Sequence, residues 1–284
     1  MTVILGLLAA LTFGTGDFLS RFSSQEVGFK NSLFWMLTIG GLFYLLVTFF
    51  IIGDLSFNII GLSNSFLAGV LIMFGLLLLY RGLLMGPVSI VASICAINPL
   101  FVFLIRFALG SQPTALQWFA TVIVILGAIL VSISADSFKE SLGMEKSKIN
   151  ESIKVAFMSS IMLAMGLIFL QETTDVFSAL EAVVYTRFFS LFSLAVLLFF
   201  LKERIFITKK SIPILISQGI LESTGNFCIA AAYAFDKVSI AVVISSGFGL
   251  VTVLLAKFIL KEKILKIQSL GIVLTFIGVV GLTI

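Results

Sequence analysis

Apolar runs of about 20 residues, each closed by a few polar or glycine residues, follow one another along the whole chain. Read as membrane-crossing helices they fall at roughly 2–22, 32–52, 64–84, 88–109, 115–133, 153–170, 179–201, 211–233, 238–259 and 266–284. The pattern predicts an all-α integral membrane protein with ten transmembrane helices. Most connections are a few residues long, so successive helices should form antiparallel hairpins. The exception is 134–152, a polar and charged stretch that separates a first five-helix half, 1–133, from a second, 153–284. The run from Val3 has no basic leader before it and carries Asp17 before reaching Arg21, so it reads as a first span rather than a signal peptide. The membrane bundle itself is expected to hold the function.

The halves echo each other. Moving 150 positions along the chain takes Val88, Ser89, Ile90, Ile94, Leu100 and Leu104 onto identical residues, and takes Pro99 onto Gly249. An offset of 151 takes Gln117 and Gly127 onto Gln268 and Gly278, and Phe18-Leu19 onto Phe169-Leu170. Because five is odd, the second half enters from the opposite side of the bilayer. The expectation is two inverted five-helix repeats about an axis in the membrane plane. The fourth and ninth spans carry small and polar residues and a helix breaker, Pro99 in one and Gly249 in the other. Paired interrupted helices of this kind mark the binding site of many secondary transporters.

Composition excludes a soluble fold. The chain is 60% hydrophobic and 11% charged, against about 25% charged in soluble domains, and its mean hydropathy is +1.22. Its pI near 9.1 therefore speaks of topology and not of nucleic acid. Of the 18 lysines and arginines, Arg106 and Lys237 lie in even-numbered connections and Arg187 inside a span; all others cluster at odd-numbered connections. The positive-inside rule then puts the odd connections in the cytoplasm and both termini outside. With no histidine, imidazole metal sites and histidine acid–base chemistry are excluded. Cys95 and Cys228 sit in apolar runs without ligand spacing, and no phosphate-binding loop is present, so neither a cofactor nor ATP-driven pumping is expected.

Charges within spans are costly and mark functional candidates. Gln218, Glu222 and Asn226 recur every four residues in the eighth span and so share one face. The stripe is expected to look into a central cavity. Glu222 is a candidate proton-coupling or cation-binding group, or else one partner of a structural ion pair. Arg187 in the seventh span either pairs with Glu222 or attracts a substrate carboxylate. Asp17, beside Gly14 and Gly16, reads as a gate or cavity-mouth residue, or as an interfacial aspartate. Tyr80 and Tyr233 end the third and eighth spans, where an aromatic belt would also place them. Asn98, Pro99, Ser245, Ser246 and Gly249 lie in the interrupted spans, where freed backbone can bind polar substrate groups or small residues can simply pack.

Over its whole length the sequence resembles the drug/metabolite transporter superfamily, EamA type. The marks are Pro87-Val88-Ser89 after the third span, Asn98-Pro99 in the fourth, the Gln117…Gly127 and Gln268…Gly278 tails, and Lys261-Glu262-Lys263 before the tenth. The resemblance implies a secondary transporter of the plasma (inner) membrane that exports small metabolites such as amino acids by alternating access, with no catalytic activity; a coupling proton is the expectation that Glu222 raises. Three departures stand out. Gly110-Ser111 replaces the Gly-Glu frequent between the fourth and fifth spans. The arginine frequent in the second span of each repeat is present as Arg187, whereas the first repeat has Trp35-Met36. Relatives are generally drawn with both termini in the cytoplasm, opposite to the lysine distribution here. Two other classes stay open on the residues alone. Uptake or exchange of a phosphorylated or nucleotide-linked cargo would call for several basic groups inside the bundle, and only Arg187 is internal. A non-transporting membrane subunit or an intramembrane enzyme would need features for which no catalytic cluster speaks.

Overall fold

A computed structural model describes residues 1–133, 145–232, 241, 244–262 and 264–283, and among these all regular structure is helical. Helix α1 spans Thr2–Val27 and α2 Phe29–Val47, hinged at Gly28, whose φ of 80° suits glycine. A π-helical turn, Thr48–Ile52, extends α2. Helix α3, Ile59–Met85, starts on Asn58, whose side chain accepts hydrogen bonds from the backbone of Ile60 and Gly61. Helices α4, Val88–Cys95, and α5, Asn98–Ala108, are the two pieces of the interrupted fourth span. They are followed by α6, Ala115–Ile133, then α7, Lys146–Thr174, and α8, Ala179–Phe200, which opens with a Ser178/Glu181 capping box. The remaining helices are α9, Ile212–Ala232, α10, Phe248–Ile259, and α11, Lys266–Thr283.

Among the described residues six helical stretches are long and apolar enough to cross a membrane: Thr2–Val27, Phe29–Ile51, Ile59–Met85, Val88–Ala108, Ser147–Thr174 and Ala179–Phe200. Several helices overrun the apolar runs that announce them, because polar residues at the ends find partners on neighbouring helices. Residues 146–152, expected to belong to the connecting loop, already form the first turns of α7: Ile149 and Ser152 are buried there, and Glu151 pairs with Arg81 at 2.5 Å.

Polarity is distributed as a bilayer demands. Phe49, Phe50, Phe188, Phe199 and Phe200 point outward. The interior holds serines and small residues, since lipid-facing surface gains nothing from polarity and close helix packing is favoured by small side chains. Hydroxyls tie helix to helix by bonding to carbonyl oxygens: Ser190 to Gly69 (2.9 Å), Ser159 to Gly75 (2.7 Å), Thr252 to Gly14 (3.0 Å), and the Tyr44 phenol to Ser223 (2.9 Å).

Helix α1 packs on α9 and α10, α3 on α7 and α8, α2 on α8 and α9, α4 on α7 and α10, and α6 on α11. The α6–α11 seam explains the repeated Gln…Gly tails. A Cβ on Gly271 would lie 2.8 Å from the Gly127 carbonyl oxygen and 2.9 Å from the Val131 nitrogen; one on Gly278 would lie 2.8 Å from the Val124 nitrogen. The obstacles are backbone atoms of a neighbouring helix, which cannot step aside like a side chain. Gly271→Leu is therefore expected to destabilise the fold by about 1–3 kcal/mol or more, read as earlier unfolding of the detergent-solubilised protein, while the outward-facing Val273→Leu should leave it unchanged.

Candidate functional site

The eighth span carries its polar stripe on α9, and its three members do different work. Gln218 is fully buried. Its amide nitrogen donates to the Tyr80 hydroxyl at 2.5 Å, and its carbonyl oxygen accepts from Ser23, which lies 2.6 Å from Ser32. This network binds α1, α2, α3 and α9 together beneath the cavity, and neither Gln218 nor Tyr80 lines it. Four residues on, Glu222 does line it. Arg187 of α8 sits behind Glu222, with Nη2 3.5 Å from the carboxylate and side-chain exposures of 7% and 15%. Asn226 donates to the backbone oxygen of Glu222 at 2.9 Å and to its carboxylate at 3.2 Å. Of the two readings of Arg187, the structure shows the ion pair, and Arg187 is not among the residues that line the cavity.

Arg187 is itself held by α2. Its Nη1 lies 3.4 Å from the Met36 sulfur, and its guanidinium is 6.0 Å from the centre of the Tyr44 ring. Position 36 is the counterpart of 187 at the 151-residue offset. A second arginine there would set two guanidiniums against one carboxylate, which gives the Trp35-Met36 departure a physical reason.

The cavity holds about 670 Å³. Its mouth lies between the α5–α6 connection, at Ser111, Gln112 and Pro113, and the facing ends of α7 and α8, at Gln171, Thr174 and Ala179. Arg106 stands at this mouth, donating to Gln171 at 2.7 Å and lying 3.8 Å from Glu172. At the inner end Asp17, Asn98, Glu222, Asn226, Ser245 and Ser246 meet, with Pro99 beside them. Asp17 thus lies at the floor and not at the mouth, because α1 runs on to Val27 and carries Asp17 in its middle. The side chain is among the buried polar groups, with 9% exposure for the residue, and no hydrogen-bonding or ion-pairing partner meets its carboxylate among the described residues.

The cavity residues that stand 150 positions from the two acids are apolar: Leu167 from Asp17 and Ile72 from Glu222. The lining thus combines two acidic side chains with many apolar ones. The chain breaks fall at Ala96–Ile97 and Ser246–Gly247, again 150 apart, two residues before Pro99 and Gly249. Pro99 begins α5, where its missing N–H costs nothing. Gly249 does not break its helix. It lets α10 cross α4, since a Cβ there would come 2.6 Å from that of Ala96. It borders a small separate void of about 20 Å³. Tyr233 lies outside the described residues.

The opposite, lysine-rich face is closed by bonds between the halves. Lys30 pairs with Glu203 at 2.5 Å, and Glu26 pairs with Lys210. Glu262, buried before α11, accepts the backbone N–H groups of Val88 (2.9 Å) and Ser89 (3.0 Å) at the start of α4. Gln268 adds a bond to the Ser89 hydroxyl at 3.0 Å. Arg21 donates to the Leu83 and Gly86 carbonyl oxygens at 2.8 and 2.7 Å. Sequence reasoning passed over Glu262 and Arg106 as loop charges. For Glu262 the available signal was the Lys-Glu-Lys motif opposite Pro87-Val88-Ser89.

The family model of the EamA-like transporter family matches residues 1–133 and 151–284. An uncharacterized protein of Methanocaldococcus jannaschii is 34% identical over 140 residues, which cover 46% of this chain and 96% of that protein. A crystal structure of a protein overlays 99% of this chain and 95% of its own with a TM-score of 0.64 at 12% identity, a likeness of fold alone.

Proposed function

We propose that this chain, which belongs to the EamA-like transporter family of the drug/metabolite transporter superfamily, is a secondary transporter that exports small metabolites such as amino acids by alternating access. The family consists of membrane transporters and not enzymes, and the apolar helices make the chain a multi-pass membrane protein. The observation that carries the proposal is the cavity, open between α5–α6 and α7–α8 and floored by Asp17 and Glu222, with inter-half bonds sealing the lysine-rich face. Sealed at one face and open at the other is what one half of an alternating-access cycle requires.

Ten spans in two inverted repeats are the scaffold proposed for this cycle. Packing supports it: α1 meets α9 and α10 as α7 meets α3 and the α4–α5 pair, and α2 meets α9 as α8 meets α3. So does the match of the family model to two stretches, and so does a relative matched over nearly its whole length by 140 residues. The proposed division is 1–133, a connection at 134–152, and 153–284. The proposed setting is the inner membrane with the lysine-rich face and odd connections in the cytoplasm, so that both termini and the cavity mouth face outward. Direction and amino-acid cargo rest on the family resemblance.

The test is counterflow. Proteoliposomes loaded with one amino acid should accumulate its labelled form against a panel of amino acids, and absence of counterflow for every cargo tried would sink the reading. Glu222 is the proposed coupling group. If Glu222→Gln kept both the wild-type rate and its dependence on pH, proton coupling through Glu222 would be wrong.

A further inference from the structure

We infer that the cavity binds its cargo by an ammonium group, held at Asp17 and Glu222, with the cargo's apolar body lying along the Ile72–Leu167 wall. The inference narrows the cargo class within the transport reading above and rests on that reading for its physiological meaning.

The argument is a charge inventory. Two carboxyl groups, those of Asp17 and Glu222, reach the cavity floor. One cation among the described residues answers them: Arg187, 3.5 Å from Glu222. Among the described residues the other nearby guanidiniums are committed elsewhere, Arg106 at the mouth with Gln171 and Glu172, and Arg21 on the carbonyl oxygens that close the opposite face. Among the described residues the Asp17 carboxyl is therefore left without a cation. A buried carboxyl group without a partner holds a proton until a counter-cation replaces it.

Shape selects among cations. A bare metal ion wants a tight shell of oxygen ligands, and no group of three or more acidic, cysteine or histidine side chains converges among the described residues. The space is far larger than an ion, at about 670 Å³. Its lining divides between the two carboxyl groups and apolar side chains that include Ile72, Leu76, Leu163 and Leu167. That division fits an amphiphile with a cationic head. Among the described residues a cargo carboxylate finds no uncommitted cation at the floor, so an amine should be held more tightly than the matching zwitterion, and the zwitterion more tightly than the matching acid.

The experiment uses three probes of one shape, 2-phenylethylamine, L-phenylalanine and 3-phenylpropionate. Each is titrated calorimetrically into the purified full chain in lipid nanodiscs, and each is then assayed for flux in proteoliposomes. The amine should bind at least tenfold tighter than the acid. Asp17→Asn should weaken the amine by about thirtyfold or more, as removal of one partner of a buried charge pair does, and Asp17→Glu should restore most of that loss. Equal or tighter binding of the acid, tighter binding of phenylalanine than of the amine, no binding of the amine, or amine affinity unchanged in Asp17→Asn would each overturn the inference. The wild-type charge series decides the matter even if the variants fold poorly. Asp17-dependent binding without flux of any probe would leave this site standing and count against the transport reading. Flux of the amine without dependence on Asp17 would do the reverse.

Discussion

Arg187→Met should destabilise the protein by about 3–5 kcal/mol, the range found when one member of a buried ion pair is removed. Methionine keeps much of the arginine stem's volume, so the loss is electrostatic and not a cavity. Glu222 would be left facing the cavity that Asp17 also lines, with no cation among the described residues to answer it. The double variant Arg187→Met, Glu222→Gln should recover most of the loss, because it removes the orphaned charge together with its lost partner. The measurement is unfolding of the solubilised protein in a graded denaturing detergent, run as a double-mutant cycle. If the single variant unfolded with the wild type, or the double variant lost as much as the sum of the two singles, the pair would not be holding α8 to α9. The same cycle separates structure from transport. Glu222→Gln alone removes the counter-charge of Arg187 but keeps a hydrogen-bonding oxygen within reach of Arg187 and Asn226, so it should cost less stability than Arg187→Met.

The elements that were legible in the sequence are those fixed by local pattern. Apolar runs located the helices, because a bilayer admits few other solutions for such residues. The 150-residue offset located the interruption of the fourth and ninth spans, though the breaks precede Pro99 and Gly249, since a proline is accommodated in the first turn of a helix and a glycine can serve a crossing. Periodicity put Gln218, Glu222 and Asn226 on one face. It was silent on how that face divides, because neighbours from other parts of the chain decide it. Ser23 and Tyr80 claim Gln218, while Arg187 and the open space claim Glu222. Asp17 was assigned the wrong depth for a similar reason. Its helix runs to Val27 on the strength of inward-facing serines at 20, 23 and 24, which read as the end of an apolar run. Glu262 shows the limit most plainly: a charge between two lysines in a connection looks solvated, and its burial depends on α4, more than 170 residues earlier in the chain.

Glu262→Gln should move the protein toward opening on the lysine-rich face, by about 2 kcal/mol or roughly thirtyfold in population. A carboxylate accepts from both the Val88 and the Ser89 N–H; an amide offers one oxygen, so one buried donor at the start of α4 loses its partner and the charge–dipole attraction disappears as well. The repeat says why this contact should act as a latch. Lys261 takes a left-handed φ of 55°, turning the chain so that Glu262 meets α4, and its counterpart 151 positions earlier, Gly110, also has a positive φ of 101°. The turn is thus present at both faces, whereas the carboxylate is present at one, since Ser111 stands where the second half has Glu262. A bundle latched at one face and unlatched at the other rests with the latched face shut and the other open, which is the arrangement of the cavity. Ser24 offers the reporter: it is buried near the closed face and its hydroxyl has no partner among the described residues, so a cysteine there costs little. In a background with Cys95 and Cys228 replaced by alanine, Ser24→Cys should react slowly with a membrane-impermeant maleimide applied to the lysine-rich face. Adding Glu262→Gln should speed labelling about thirtyfold, and adding Ser111→Ala should not. Equal labelling with and without Glu262→Gln would assign the closure to the Lys30–Glu203 and Glu26–Lys210 pairs instead. Those pairs are partly exposed, and exposed ion pairs contribute about 0–1 kcal/mol each, too little to hold one face shut against the other.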